Sequence, residues 1–118
     1  MRRLLPLLCT FLLSACALPV RAGALADVEI YDRSAGTALP LYAYQGRLYV
    51  PGEPGHEYEL RLRNHNASRL LAVTSVDGIN VLSGETAAPS QGGYVLDAYG
   101  AASIAGWRKS LQRVAAFY

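Results

Sequence analysis

An all-β antiparallel domain is what this sequence predicts, a two-layer sandwich or partly open barrel of about six to eight short strands. Three observations carry that expectation. Arg69 to Ser83 (RLLAVTSVDGINVLS) brings two apolar, β-branched runs together across Asp77-Gly78, a dipeptide that tolerates the positive φ of a tight hairpin turn. His56 to Asn64 (HEYELRLRN) alternates cleanly, with Tyr58, Leu60 and Leu62 inward and Glu59, Arg61 and Arg63 toward water. The remaining body is a series of short apolar runs cut by Gly, Pro and polar turns.

The chain opens on Met1-Arg2-Arg3, followed by an apolar run from Leu4 to Ala17 that carries Pro6 and Ser14. The run is shorter than the roughly 20 apolar residues of a membrane span. A basic start with an apolar centre defines a secretory signal peptide, residues 1–26. Ala24-Leu25-Ala26 supplies an A-x-A site with cleavage after Ala26, and Val20-Arg21-Ala22 is a weaker one. Leu13-Ser14-Ala15-Cys16 offers an alternative, since it resembles the lipobox of bacterial lipoproteins. Residues 1–15 would then be the signal and Cys16 the acylated first residue. Cys9 is an ordinary apolar residue of the leader on either reading, and the body has no cysteine for a disulfide. Both routes lead to the bacterial envelope, as a periplasmic or secreted protein or as an outer-membrane lipoprotein.

The rest, residues 27–118, is a single domain. Asp27 to Asp32 (DVEIYD) alternates as a first strand, with Val28 and Ile30 on one face and Glu29 and Tyr31 on the other. Arg33 to Thr37 turns the chain. Leu39 to Val50 (LPLYAYQGRLYV) reads as a hairpin turning at Gln45-Gly46, pairing Leu41 with Val50 and Ala43 with Leu48 on a core face. Tyr42 then lies opposite Tyr49, and Tyr44 opposite Arg47, on the other face. After the Pro51–Gly55 loop and the His56–Asn64 strand, His65 to Ser68 turns into the Asp77-Gly78 hairpin. A two-residue loop there sets Val76 against Ile79, Ser75 against Asn80, Thr74 against Val81 and Val73 against Leu82. Both faces of this pair are apolar, which predicts a central pair buried on two sides.

Gly84 to Gly92 is a polar loop, Gly93 to Asp97 a short strand, and Ala98 to Ala102 a turn. Ser103 to Ala105 is a last turn or strand before Gly106-Trp107-Arg108. In the tail, Trp107, Leu111, Val114 and Tyr118 fit helical spacing, while Val114, Ala116 and Tyr118 alternate. The favoured reading is a bend at Lys109-Ser110 and a strand from Arg113. An apolar end with no turn after it points to a domain truncated at its C-terminus.

Charge excludes one function class. From Asp27 onward eight basic residues stand against nine acidic ones, a net −1, and nucleic-acid binders need a basic stripe. His56 and His65 are the only histidines, and with no cysteine in the body they cannot complete a zinc set. Two surface histidines are expected. Asp77, Gly78 and Asn80 lack the spacing and distal glutamate of a calcium loop, so no metal or other cofactor is expected. Asn80 within an apolar strand wants amide partners, and Ser75 opposite is the candidate. Ser75 and Ser83 have no nucleophile elbow around them, and Asn66-Ala67-Ser68, formally a sequon, reads as a turn.

Two groups remain as binding candidates. Tyr42, Tyr44 and Tyr49 with Arg47 form one aromatic face, the composition that glycan and protein recognition surfaces use, although tyrosine is also a good strand residue. Trp107 beside Arg108 can stack on or bind a carboxylate ligand, or can plug the core while Arg108 caps a loop.

The blocks SVDGIN (Ser75 to Asn80), SGET (Ser83 to Thr86), GYVL (Gly93 to Leu96) and GWRKS (Gly106 to Ser110) follow a first turn Asp32-Arg33-Ser34-Ala35-Gly36. In that order they resemble a set of uncharacterised exported bacterial β-rich proteins over nearly the whole body. The resemblance implies an exported β-fold whose chain continues past the AAFY segment, and it brings no catalytic residue with it. The expected function is a non-enzymatic binding or assembly module of the envelope. Its partner would be an envelope protein or a glycan, with the membrane reached only through a lipid anchor. The alternatives are a small periplasmic hydrolase with a loop-assembled triad, and a truncated remnant without function.

Overall fold

A computed structural model describes residues 25–118, so the signal segment and Cys16 lie outside the described residues. The described chain is all-β and antiparallel, with twelve short strands and no closed barrel. The count exceeds the expected six to eight because several runs break into separate short ladders.

One layer is a four-stranded sheet built from β1 (Ala26–Asp32), β2 (Thr37–Ala38), β5 (Tyr58–Asn64) and β10 (Ala101–Ile104), in the order β10-β5-β1-β2. β1 and β5 pair along their full length, from Ala26 opposite Asn64 to Asp32 opposite Tyr58. Their alternation sends Val28, Ile30, Leu60 and Leu62 to one face. The connection from β1 to β2 is the Asp32–Gly36 turn. Asp32 Oδ1 accepts from the Ala35 N–H at 2.8 Å and its carbonyl from Gly36 N–H at 2.8 Å. Gly36 has φ 71, which explains glycine at that position.

The facing layer consists of two-stranded ladders. β6 (Leu70–Ala72) pairs with β9 (Tyr94–Leu96), β7 (Ser75–Val76) with β8 (Ile79–Asn80), and β11 (Gly106–Arg108) with β12 (Val114–Ala116). Leu60, Leu62, Val81, Leu96, Ile104 and Phe117 form the buried core between the layers. The tail is therefore a hairpin with a bend over 109–112, as the alternating reading predicted. Phe117 is fully buried against Trp107, with ring centroids 4.6 Å apart, and against Tyr58 at 5.3 Å.

Two corrections concern the Asp77-Gly78 hairpin. Its turn and register are as expected, with Asp77 at φ 52, Gly78 at φ 76, Val76 opposite Ile79 and Ser75 opposite Asn80. The ladder nonetheless frays after Val81 N–H donates to Thr74 O, and Leu70–Ala72 leaves to pair with Tyr94–Leu96. It is also not central, because Leu71 and Val95 are 55% and 60% exposed on its outer face. Ala101 and Ala102, expected in a turn, begin β10 instead.

The first hairpin, β3 (Tyr42–Tyr44) with β4 (Arg47–Tyr49), has the expected register around Gln45-Gly46. Gln45 takes φ 48 there. Its expected core face is corrected: Ala43, Leu48 and Val50 are exposed, because this hairpin stands beyond the packed core.

Candidate functional site

The main feature is an apolar groove of about 920 Å³ on the inner face of the four-stranded sheet. Val28 and Ile30 of β1 and Tyr58, Leu60 and Leu62 of β5 form its floor. Ala72 to Asp77 form one wall, and Leu39, Leu48 and Val50 form the other. The facing ladders cover the β5–β10 half of the sheet and leave the β1 half open. Burial pushes the Tyr58 phenol above its ordinary pKa, and the Asp77 carboxylate adds to this.

Along the same side β1 has an open edge. Arg33 N–H donates to Glu57 O, and His65 N–H donates to Leu25 O. In an antiparallel ladder this fixes the odd-numbered positions of β1 as those whose backbone groups face β5. Even positions face the other way. Ile30 O accepts from Leu39 N–H at 2.8 Å. At Pro40 the chain departs from β1 into the first hairpin. Ala26 and Val28 thus present their N–H and C=O groups to an edge that no described strand covers.

The exposed outer side of this edge is acidic. Asp27 and Glu29 project from β1, backed on β5 by Arg63 and Arg61. Glu29 lies 3.5 Å from Arg61 Nη1, while the Arg61 guanidinium sits 3.5 Å over the Tyr31 ring and bonds Glu59 at 2.7 Å. The Glu59 hydrogen bond holds the Arg61 pKa up. Asp27 Oδ2 lies 2.5 Å from His65 Nε2 without an aligned hydrogen bond, and Asp27 Oδ1 is buried with no donor among the described residues.

Of the residues singled out from sequence, Tyr42, Tyr44, Tyr49 and Arg47 do share one face of the first hairpin. The three tyrosines are 60%, 64% and 50% exposed. Tyr44 and Tyr49 stand 6.5 Å apart by ring centroid. This face points away from the groove, because Leu48 and Val50 alternate to the other side. Trp107 and Arg108 lie in a different hairpin. Trp107 packs edge-on against Phe117, and Arg108 donates to the Ser110 and Leu111 carbonyls and the Tyr94 hydroxyl.

Asn80 is fully buried, but Ser75 is not its partner. Its Nδ2 donates to Gln91 Oε1 and Gly92 O, and its Oδ1 accepts from the Leu82 and Ser83 N–H groups. The ladder register puts Ser75 opposite Asn80, while the amide turns toward the 82–92 loop.

The histidines are not free surface groups. His56 Nδ1 lies 2.8 Å from Asp32 Oδ2, and His65 meets Asp27, so each ties a loop to one end of β1. The Ala35 N–H and then His56 hold the Asp32 carboxyl below the usual range. The two pairs are about 17 Å apart at roughly 3.4 Å per strand residue. No serine hydroxyl bonds either imidazole among the described residues. No group of three or more metal-ligating side chains occurs among them either.

Sequence reasoning missed the groove and the open edge. Pro40 inside an alternating run, directly after the expected first turn, was the available signal. No protein-family model, curated protein or solved structure matches the chain.

Proposed function

We propose that this protein is an exported, non-enzymatic binding or assembly module of the bacterial envelope, which takes up an extended segment of a partner protein by strand addition. The observation that carries the reading is the open β1 edge running beside the apolar groove. An added strand would satisfy the outward groups of Ala26 and Val28 and bury its alternate side chains between Val28, Ile30, Leu48 and Val50. Main-chain bonds then give affinity and the groove gives selectivity. The exposed Tyr42, Tyr44, Tyr49 and Arg47 face lies on the back of the hairpin that walls the groove, and serves as a flanking contact for the body of the same partner. Trp107 and Arg108 are committed to internal contacts and take no part.

Export rests on the basic and apolar leader. Between its processing sites the fold favours the earlier ones. Cleavage after Ala26 would remove Leu25, whose carbonyl accepts from His65 N–H and Asn66 Nδ2, and the first paired residue of β1. Cleavage after Ala22, or acylation at Cys16, retains both. The intact mass of the exported protein distinguishes a start at Cys16, Gly23 or Asp27.

The binding reading is tested by a photoreactive residue placed at Leu48 in the exporting host. A discrete adduct that disappears when Val28 is replaced by proline supports strand addition. Adducts formed equally from Leu48 and from a distant position such as Arg69 would contradict it.

A further inference from the structure

The groove and edge also define what kind of segment fits, and this inference rests on the strand-addition reading above. We infer that the segment alternates apolar and basic residues, and that it comes from a different protein rather than a second copy of this chain.

The argument is one of charge and register. A strand added beside β1 continues its pleat, so residues opposite Val28 and Ala26 point into the groove and must be apolar. Residues opposite Asp27 and Glu29 point outward, and directly opposed side chains in a sheet come within about 5 Å of one another. Those two positions form the outermost column of charge on this face. Their basic partners, Arg61 and Arg63, lie one strand further in. The Asp27 and Glu29 side chains are 36% and 49% exposed, so a lysine or arginine opposite them supplies the missing opposite charge.

The same register excludes the second copy. Two β1 edges joined antiparallel about Val28 would set Asp27 of each chain against Glu29 of the other. Like charges directly opposite are destabilising, and the two carboxylate pairs would form at each such joint. Lysine and acidic side chains on edges are a common device against self-pairing. Here the carboxylates reject the identical strand and accept a basic one.

The test uses the exported protein and three labelled peptides, one alternating Val and Lys, one alternating Val and Glu, and one alternating Val and Ser. Fluorescence anisotropy reads their affinities at low salt. The inference predicts that the Val/Lys peptide binds about tenfold tighter than Val/Ser and that Val/Glu binds weakest. The preference should collapse as salt rises, since exposed charges are screened over about 10 Å at 0.1 M. Asp27→Asn with Glu29→Gln should bring the Val/Lys and Val/Ser affinities within about twofold. If that variant does not fold, the salt dependence of the unaltered protein carries the same test. Equal binding of all three peptides would overturn the basic preference and leave strand addition standing. Binding of none, with the edge intact, would overturn both. A dimer in sedimentation that dissociates on Val28→Pro would overturn the exclusion of a second copy.

Discussion

Leu39 N–H donates to Ile30 O at 2.8 Å, and this is the last described bond on the outer side of β1 before the chain turns away at Pro40. Had the next residues kept the register, Leu41 would lie beside Val28 and the sheet edge would be closed. Instead the chain builds a separate aromatic hairpin and leaves a backbone template next to an apolar floor. The strand-addition reading follows from that one departure.

Asn80 holds the 82–92 loop in place through four hydrogen bonds around a side chain with no exposed surface. Replacing it by alanine leaves the part-buried Leu82 and Ser83 N–H groups without their acceptor and opens a void where the amide sat. This should cost about 2–4 kcal/mol, given roughly 1–3 for each unsatisfied group. A thermal melt should fall by about 10 °C or more. A change of only a few degrees would show that water replaces the amide.

Gly93 and Gly106 lie where two backbones meet. A Cβ at Gly93 would run into the Ala72 carbonyl, and one at Gly106 into the Ala115 carbonyl, while Gly92 has open space around it. Gly106→Ala should destabilise by about 1–3 kcal/mol or more, as overpacking does. Gly92→Ala should stay within about 0.5 kcal/mol. Equal melting temperatures for the two variants would refute the close approach.

Asp32 links acid stability to the fold. Its carboxyl is held low by the Ala35 N–H and by His56, so it binds protons more readily in the unfolded chain. The stabilisation is present in full above the ordinary carboxylate range and is lost as pH falls through the lower folded-state value. Asp32→Asn should therefore melt below the unaltered protein at neutral pH, with the gap closing below about pH 4. A gap that persists unchanged into acid would mean that charge plays no part.

Much of the fold was legible in particular residues. Asp77-Gly78 and Gln45-Gly46 fixed their hairpin registers, and the alternation from Tyr58 to Asn64 fixed the inward face of β5. Local turn chemistry decides such features, so sequence reports them. The switch of Leu70–Ala72 to a new partner was not legible, because an apolar run has the same propensity whichever strand it joins. The aspartate–histidine pairs were hidden for a related reason: each joins β1 to a loop flanking β5, and only the topology brings the two together. The aromatic face was predicted as a set, but its separation from the groove depends on where the hairpin stands relative to the core. The groove is a property of what fails to cover the sheet, and no local pattern records that.

Amide hydrogen exchange along β1 tests the central claim most directly. The account predicts alternation in the free protein: the Asp27 and Glu29 amides, directed at β5, are protected, while the Val28 amide exchanges at nearly the rate of an unstructured chain. Protection at Val28 equal to that of its two neighbours would mean that the edge is already covered, and strand addition at β1 would be wrong.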